Sequence, residues 1–113
     1  LSFYPLLQPG ERFPINDPAR HPCLLPRLAE DALFLHGTLE GIARIEAEGY
    51  RLLARLGAPH VRRVTTLGGG AANVAWSAIR ARYLGVPVTQ AATSSAAHGA
   101  ALLAARALAA TRQ

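Results

Sequence analysis

The sequence contains no lysine: all twelve basic residues are arginine. This removes the P-loop Gly-Lys-Ser/Thr, the Schiff-base lysine and the Ser-Lys dyad from consideration. Cysteine occurs once, as Cys23, so no internal disulfide can form, and the lone thiol points to a reducing, cytoplasmic setting. No histidine stands at a catalytic spacing from it. The four histidines (His21, His36, His60, His98) are too scattered for a zinc site. Carboxylates end at Glu48. From Gly49 to Gln113 there are eight arginines and no Asp or Glu, so that half can supply neither a carboxylate base nor a carboxylate metal ligand. No apolar run approaches the roughly 18–20 residues that span a bilayer. The longest candidate, Ala96 to Ala110, is short and interrupted by His98 and Arg106, so no membrane association is expected. A charged segment leading into an apolar one, as in a signal peptide, is not visible at the start. The chain opens on Leu1 rather than Met, which points to a piece of a longer protein.

Half the residues are hydrophobic, which argues against disorder and for one domain or part of one. Residues 1–28 form a first region. Six of the eight prolines (Pro5, Pro9, Pro14, Pro18, Pro22, Pro26) fall there and forbid a long helix. Tyr4 and Phe13 flank the turn signal Pro9-Gly10. The expectation is an extended arm that must lie on something else to be ordered. Residues 29–113 read as an incomplete α/β domain.

Ala29 to Leu56 has helical periodicity. Leu35, Leu39, Ile42, Ile45, Leu52 and Leu56 form one apolar stripe, and Glu40 and Arg44 an i,i+4 pair on the outer face. Glu30 and Asp31 suit the first turn, and Arg51 and Arg55 the last. Gly57 fits the C′ position, with Pro59 preventing continuation. Gly37, Gly41 and Gly49 each cost about 1 kcal/mol against Ala, which close packing against a neighbour would explain. Val61 to Leu67 reads as a buried strand, Gly68-Gly69-Gly70 as a turn, and Ala72 to Leu84 as a second helix closed by Gly85. Val86 to Gln90 reads as a second strand, with Pro87 at its entrance. Thr93, Ser94 or Ser95 caps a third helix. Nine of the fifteen residues from Ala96 to Ala110 are alanine, which predicts close packing on more than one side. The order arm-α-β-α-β-α implies parallel strands with helices over the sheet. Two strands are too few for a stable sheet, a second sign that strands lie outside the chain.

The segment with chemical content is Gly68-Gly69-Gly70-Ala71-Ala72-Asn73-Val74-Ala75-Trp76. Glycines between a strand end and a helix start let backbone approach a ligand, and a helix N-terminus favours an anion. Asn73 in the first helical turn can accept and donate, and Trp76 shares its face. An indole to stack, an amide to read ring nitrogens and glycines to pass phosphates make an adenine nucleotide site. The same residues also fit an ordinary strand-to-helix turn in which Asn73 caps and Trp76 is core. A dinucleotide fold competes poorly: Gly68-x-Gly70-x-x-Asn73 lacks the third glycine, and no later acid can hold a ribose. Nucleic acid is not an expected partner, since the arginines are scattered and no aromatics interleave with them.

LGGGAANVAWSAIRARYLGVPV, followed by SSAAHGAALLAA, resembles the C-terminal half of the FGGY carbohydrate kinases. GERFPINDPARHP and LEGIARIEAEGYRLLARLGA are similar to the branch holding D-ribulose and xylulose kinase-like proteins. The resemblance implies part of a ribonuclease H-like, actin-type ATPase domain, with ATP and Mg2+ as cofactors and a ketose sugar bound by another domain. It implies that Gly69 and Gly70 pass close to the phosphates and ribose, that Asn73 bonds adenine and that Trp76 lies against the purine. The catalytic base and the acids that position magnesium would lie upstream, in keeping with the carboxylate-free half. Three positions depart from the family pattern: Ala72 replaces a frequent basic residue, Ser95 a frequent Glu, and His98 a Tyr or Leu. The expected parent is an ATP-dependent ketopentose kinase, D-ribulose first and D-xylulose second. The alternative is a non-catalytic fragment or degenerate relative acting by association. The chain by itself is expected to self-associate and to lack kinase activity.

Overall fold

A computed structural model describes residues 1–93 and 95–112. It contains three α-helices and a two-stranded parallel sheet: α1 (Asp31–Arg55), β1 (Val64–Thr66), α2 (Val74–Leu84), β2 (Val88–Gln90) and α3 (Ala96–Thr111). A 3-10 turn, Gly69–Ala72, joins β1 to α2. The strands pair in register Val64↔Val88, Thr65↔Thr89 and Thr66↔Gln90. The expected alternation and parallel pairing are therefore present, and the strands are shorter than the sequence suggested. In β1 only Val64 is buried. Pro87 sits just outside β2, where its carbonyl accepts the Val64 N–H at 2.9 Å.

The glycines of α1 are explained by the arm. Residues 1–28 fold back on themselves through Tyr4↔Cys23 and Glu11↔Asp17 bridges and lie along the helix. Phe3 is buried against Gly37 and packs against Phe34, the rings tilted at 55° with centroids 5.5 Å apart. A Cβ at Gly41 would stand 2.7 Å from the Phe3 carbonyl oxygen, and one at Gly49 would stand 2.8 Å from the Phe13 ring. Arg44 Nη2 donates to the same Phe3 carbonyl at 3.0 Å. Within the arm, the Tyr4 hydroxyl donates to Glu11 at 3.1 Å, and Arg20 lies over the Tyr4 ring. Burial first, and that hydrogen bond second, push the Tyr4 phenol above its ordinary pKa.

The buried face of α1 is Gly37, Gly41, Ala43, Ala47 and Gly49, not the large apolar stripe. Leu35, Ile42 and Leu56 are exposed. Glycine wins at 37, 41 and 49 because a Cβ there would crowd the arm: the Leu1 and Phe3 side chains at Gly37, the Phe3 carbonyl at Gly41 and the Phe13 ring at Gly49. The expected outer pair of Glu40 with Arg44 is also absent. Glu40 turns to Arg82 of α2 and to His36, while Arg44 caps the arm. Helix ends follow the sequence signals: Gly57 (φ +101°) follows α1 with hydrogen bonds back to its last carbonyls, and Gly85 closes α2 in the left-handed region.

α3 departs from expectation. It forms, with Ser95 at the N-cap position, although the Ser95 side chain makes no capping bond; Ser94 lies outside the described residues. Every described residue of α3 is exposed, including Leu102, Leu103 and Leu108. The close packing that its alanines imply is not provided by the rest of the described chain. No helix of the described residues is long and apolar enough to cross a membrane.

Two glycine substitutions separate packing from propensity. Gly41→Ala should gain about 1 kcal/mol in helix propensity but lose about 1–3 kcal/mol by pushing the arm away. Its melting temperature should fall, and trypsin should cut faster at Arg12 and Arg20. Gly99→Ala, with nothing within 4 Å of the new Cβ, should raise the helix content seen by circular dichroism without lowering the melting temperature. A melting temperature for Gly41→Ala no lower than the parent's would show that the arm does not bear on Gly41.

Candidate functional site

β1 ends at Thr66, and Leu67 leads into the glycine run. Gly68 has φ +90° and ψ −175°, a conformation that is essentially restricted to glycine. It is the residue that lets the strand turn into the 3-10 segment. Gly69 and Gly70 differ from it: neither has a positive φ. A Cβ at Gly69 would meet nothing within 4 Å, and one at Gly70 would make only ordinary contact with Trp76, at 3.6 Å from Cδ1. Neither the backbone nor the neighbours therefore require glycine at 69 or 70.

Asn73 is not inside the first turn of α2, as the sequence suggested. It is the N-cap, with extended φ −82° and ψ 102°, and its Oδ1 accepts the Trp76 N–H at 3.0 Å. The helix consequently begins at Val74 rather than Ala72, because an N-cap residue must leave the helical region for its side chain to reach the third amide. The acceptor of the side chain is engaged in the cap. What it can offer a ligand is its NH2 group.

Trp76 is half-buried, so it is not a core tryptophan. Its Cδ1 and Nε1 edge faces Gly70. Arg80 lies 5.6 Å from the ring centroid, within the range of a cation–π contact. Buried Ala71 and Ile79 anchor the turn and α2 beneath these groups. The structure thus gathers Gly69, Gly70, Asn73 and Trp76 at one strand-to-helix junction. Gly68, Gly69, Gly70, Ala72 and Asn73 are exposed there, on an open surface. The grooves beside α1 lie elsewhere: one of about 320 Å3 is lined by Phe13, Pro14, Ile45, Glu46, Gly49, Tyr50 and Leu53.

A further residue at the junction, marked by no sequence motif, is Arg80, with its partner Glu46 on α1. Arg80 Nε and Nη2 donate to Glu46 Oε2 and Oε1 at 2.8 and 2.7 Å. These bonds raise the Arg80 pKa further, against the smaller opposing effect of burial. The available signal was its i+4 spacing from Trp76, which puts both on one helical face.

The junction has three features open to a ligand. Backbone approach is open at Gly69 and Gly70, the indole offers a face, and the start of α2 offers amides and a partial positive charge. It does not fit a divalent metal. Glu40, Glu46 and Glu48 are each tied to arginine, and among the described residues no three His, Cys, Asp or Glu side chains come together.

The junction makes separable stability predictions. Gly68→Ala should lose about 1–3 kcal/mol through backbone strain. Asn73→Ala should lose about 0.5–2 kcal/mol with the cap, and Asn73→Asp should retain it. Gly69→Ala and Gly70→Ala should melt within about 0.5 kcal/mol of the parent, as substitutions away from special backbone or packing usually do. Thermal denaturation of the five variants checks the order.

A comparison with protein-family models matches residues 1–108 to the "FGGY family of carbohydrate kinases, C-terminal domain". The match takes in the arm, the parallel strands and the glycine junction, and nearly all of α3. On that extent of agreement, the chain belongs to the FGGY family of carbohydrate kinases, as its C-terminal domain.

Proposed function

We propose that this domain supplies the adenine- and phosphate-facing side of the ATP site in a sugar kinase. The observation that carries the reading is the pair Gly69 and Gly70: the fold gives no reason for glycine at either position, whereas a nucleotide passing over them does. In this reading their backbone lies against the phosphates and ribose, the Asn73 NH2 donates to an acceptor nitrogen of adenine, and the Trp76 indole stacks on the purine. The domain is then part of a ribonuclease H-like fold.

The substrate class that we favour is a ketopentose, D-ribulose before D-xylulose, held by a second domain. ATP, when bound, supplies the phosphoryl group, and a divalent cation bound by residues outside this chain neutralises its charge. The chain's own task is to bind and orient. Catalysis of phosphoryl transfer rests largely on positioning and electrostatics, so a domain without a carboxylate at its junction can still be essential. The base that takes the sugar hydroxyl's proton would come from elsewhere in the kinase, because Glu40, Glu46 and Glu48 are held in ion pairs.

A second reading has one observation in its favour. The exposed leucines of α3 (Leu102, Leu103, Leu108) suit a domain that acts by association. They equally suit a helix covered by the rest of a kinase, and they do not explain Gly69 and Gly70.

In the kinase carrying this domain, Gly70→Ala should raise the KM for ATP while leaving the melting temperature and the KM for sugar unchanged. Trp76→Ala removes a stacking partner worth about 0.5–1.5 kcal/mol, so the KM for ATP should rise severalfold to about tenfold. A core tryptophan would instead cost about 3–5 kcal/mol of stability. Steady-state kinetics and melting curves together decide. An unchanged KM for ATP in both variants would sink the adenine-site assignment.

A further inference from the structure

Of the inter-residue ion pairs described, that of Arg80 with Glu46 is the most sheltered. The Arg80 side chain is 11% exposed, against 55–61% for Arg27, Arg51, Arg55 and Arg82. It is also non-local, linking α2 to α1 across 34 residues. Two parallel N–H···O bonds fix a guanidinium in both distance and plane. That fixed plane lies 5.6 Å from the centroid of the Trp76 ring. An indole side chain turns about two bonds, and the groups beside it set its place. Here Gly70 bounds one edge of the ring and the clamped cation bounds one face.

We infer that Arg80 is a positioning residue of the nucleotide site: held by Glu46, it backs one face of the Trp76 indole so that the opposite face is presented to the purine. The inference rests on the reading that the purine stacks on Trp76. Arg80 itself touches no nucleotide in this arrangement. The attraction of its charge for the π face of the indole sets the ring, and Glu46 sets Arg80. A residue of α1 thereby controls the affinity of a site on α2. The raised pKa of Arg80 agrees with a guanidinium held charged in this place.

The chain holds one tryptophan, so its fluorescence reports Trp76 alone. Three variants are made both in the kinase carrying this domain and in the 113-residue chain and compared with the parent: Arg80→Lys, Arg80→Met and the double variant Glu46→Leu with Arg80→Met. The double variant removes both charges together, which usually preserves folding where a single deletion does not. The readouts are the emission anisotropy of the 113-residue chain without nucleotide, at a concentration where light scattering gives the same species for every variant, and the Kd of the kinase carrying this domain for ATP, by calorimetry. Arg80→Met and the double variant should lower the anisotropy and weaken ATP binding by about three- to tenfold, the size of a lost aromatic stacking term. Arg80→Lys, which keeps the charge and loses the fork, should fall between. Parent-like anisotropy in a folded double variant would overturn the positioning role. Lowered anisotropy with a parent-like Kd for ATP would overturn it too, since the ring would then move without consequence. Calorimetry on Trp76→Ala tells this failure from that of the underlying reading. If Trp76→Ala binds ATP as tightly as the parent, the purine does not stack there. If it binds more weakly and the double variant does not, only the role of Arg80 is lost.

Discussion

The small-residue face of α1 is the constraint on which the rest of the structure depends. Gly37, Gly41 and Gly49 give up helix propensity so that an arm rich in proline can lie in contact, its Phe3 backbone against Gly41 and its Leu1, Phe3 and Phe13 side chains against Gly37 and Gly49. The arm cannot form a helix of its own, and its few internal bridges would not hold it alone. On the neighbouring face, buried Ala43 and Ala47 sit among residues that reach α2: Glu40 to Arg82, Glu46 to Arg80 and Arg44 towards the Tyr83 ring. One helix thus orders the arm on one side and fixes α2 on the other. Because α2 carries Asn73 as its cap and Trp76 in its first turns, the candidate nucleotide site inherits its geometry from α1.

Charge is distributed to the same end. All seven side-chain carboxylates lie between Glu11 and Glu48, in the arm, at the start of α1 and within it, and several are engaged structurally: Glu11 by Tyr4, Asp31 by Arg27, Glu40 and Glu46 by α2, Glu48 by Arg51 and Arg55. The glycine junction is left without negative charge. A site for polyphosphate benefits from this, since a nearby carboxylate would repel it, while the surface pairs themselves add little stability. The pair of Glu46 and Arg80 differs because it is sheltered and two-pronged, so its value is in fixing geometry.

The exposed surfaces carry a complementary message. α3 buries none of its described residues, and a two-stranded sheet covered by α2 leaves much of itself bare. An alanine-rich helix can approach a partner closely, but nothing in the described chain takes that place. Membership of a family in which this is one domain of a larger kinase accounts for such surfaces without requiring that they be sites.

Local features were legible from the sequence because their causes are local. Gly57 and Gly85 end helices since a left-handed residue is needed there. Strand, glycine turn and helix follow from short β-branched runs beside a flexible segment, and the parallel pairing follows from their alternation. Gly69, Gly70, Asn73 and Trp76 lie close together because a strand-to-helix junction places residues so near in sequence side by side. Only the tertiary structure decided which face of α1 is buried. Periodicity finds an apolar stripe but carries no information about how closely a neighbour must approach, and closeness selected glycine and alanine over leucine. It likewise left α3 uncovered and joined Arg80 to Glu46. Each of these outcomes depends on contacts between residues far apart in the chain, or on their absence, and spacing along the sequence does not encode them.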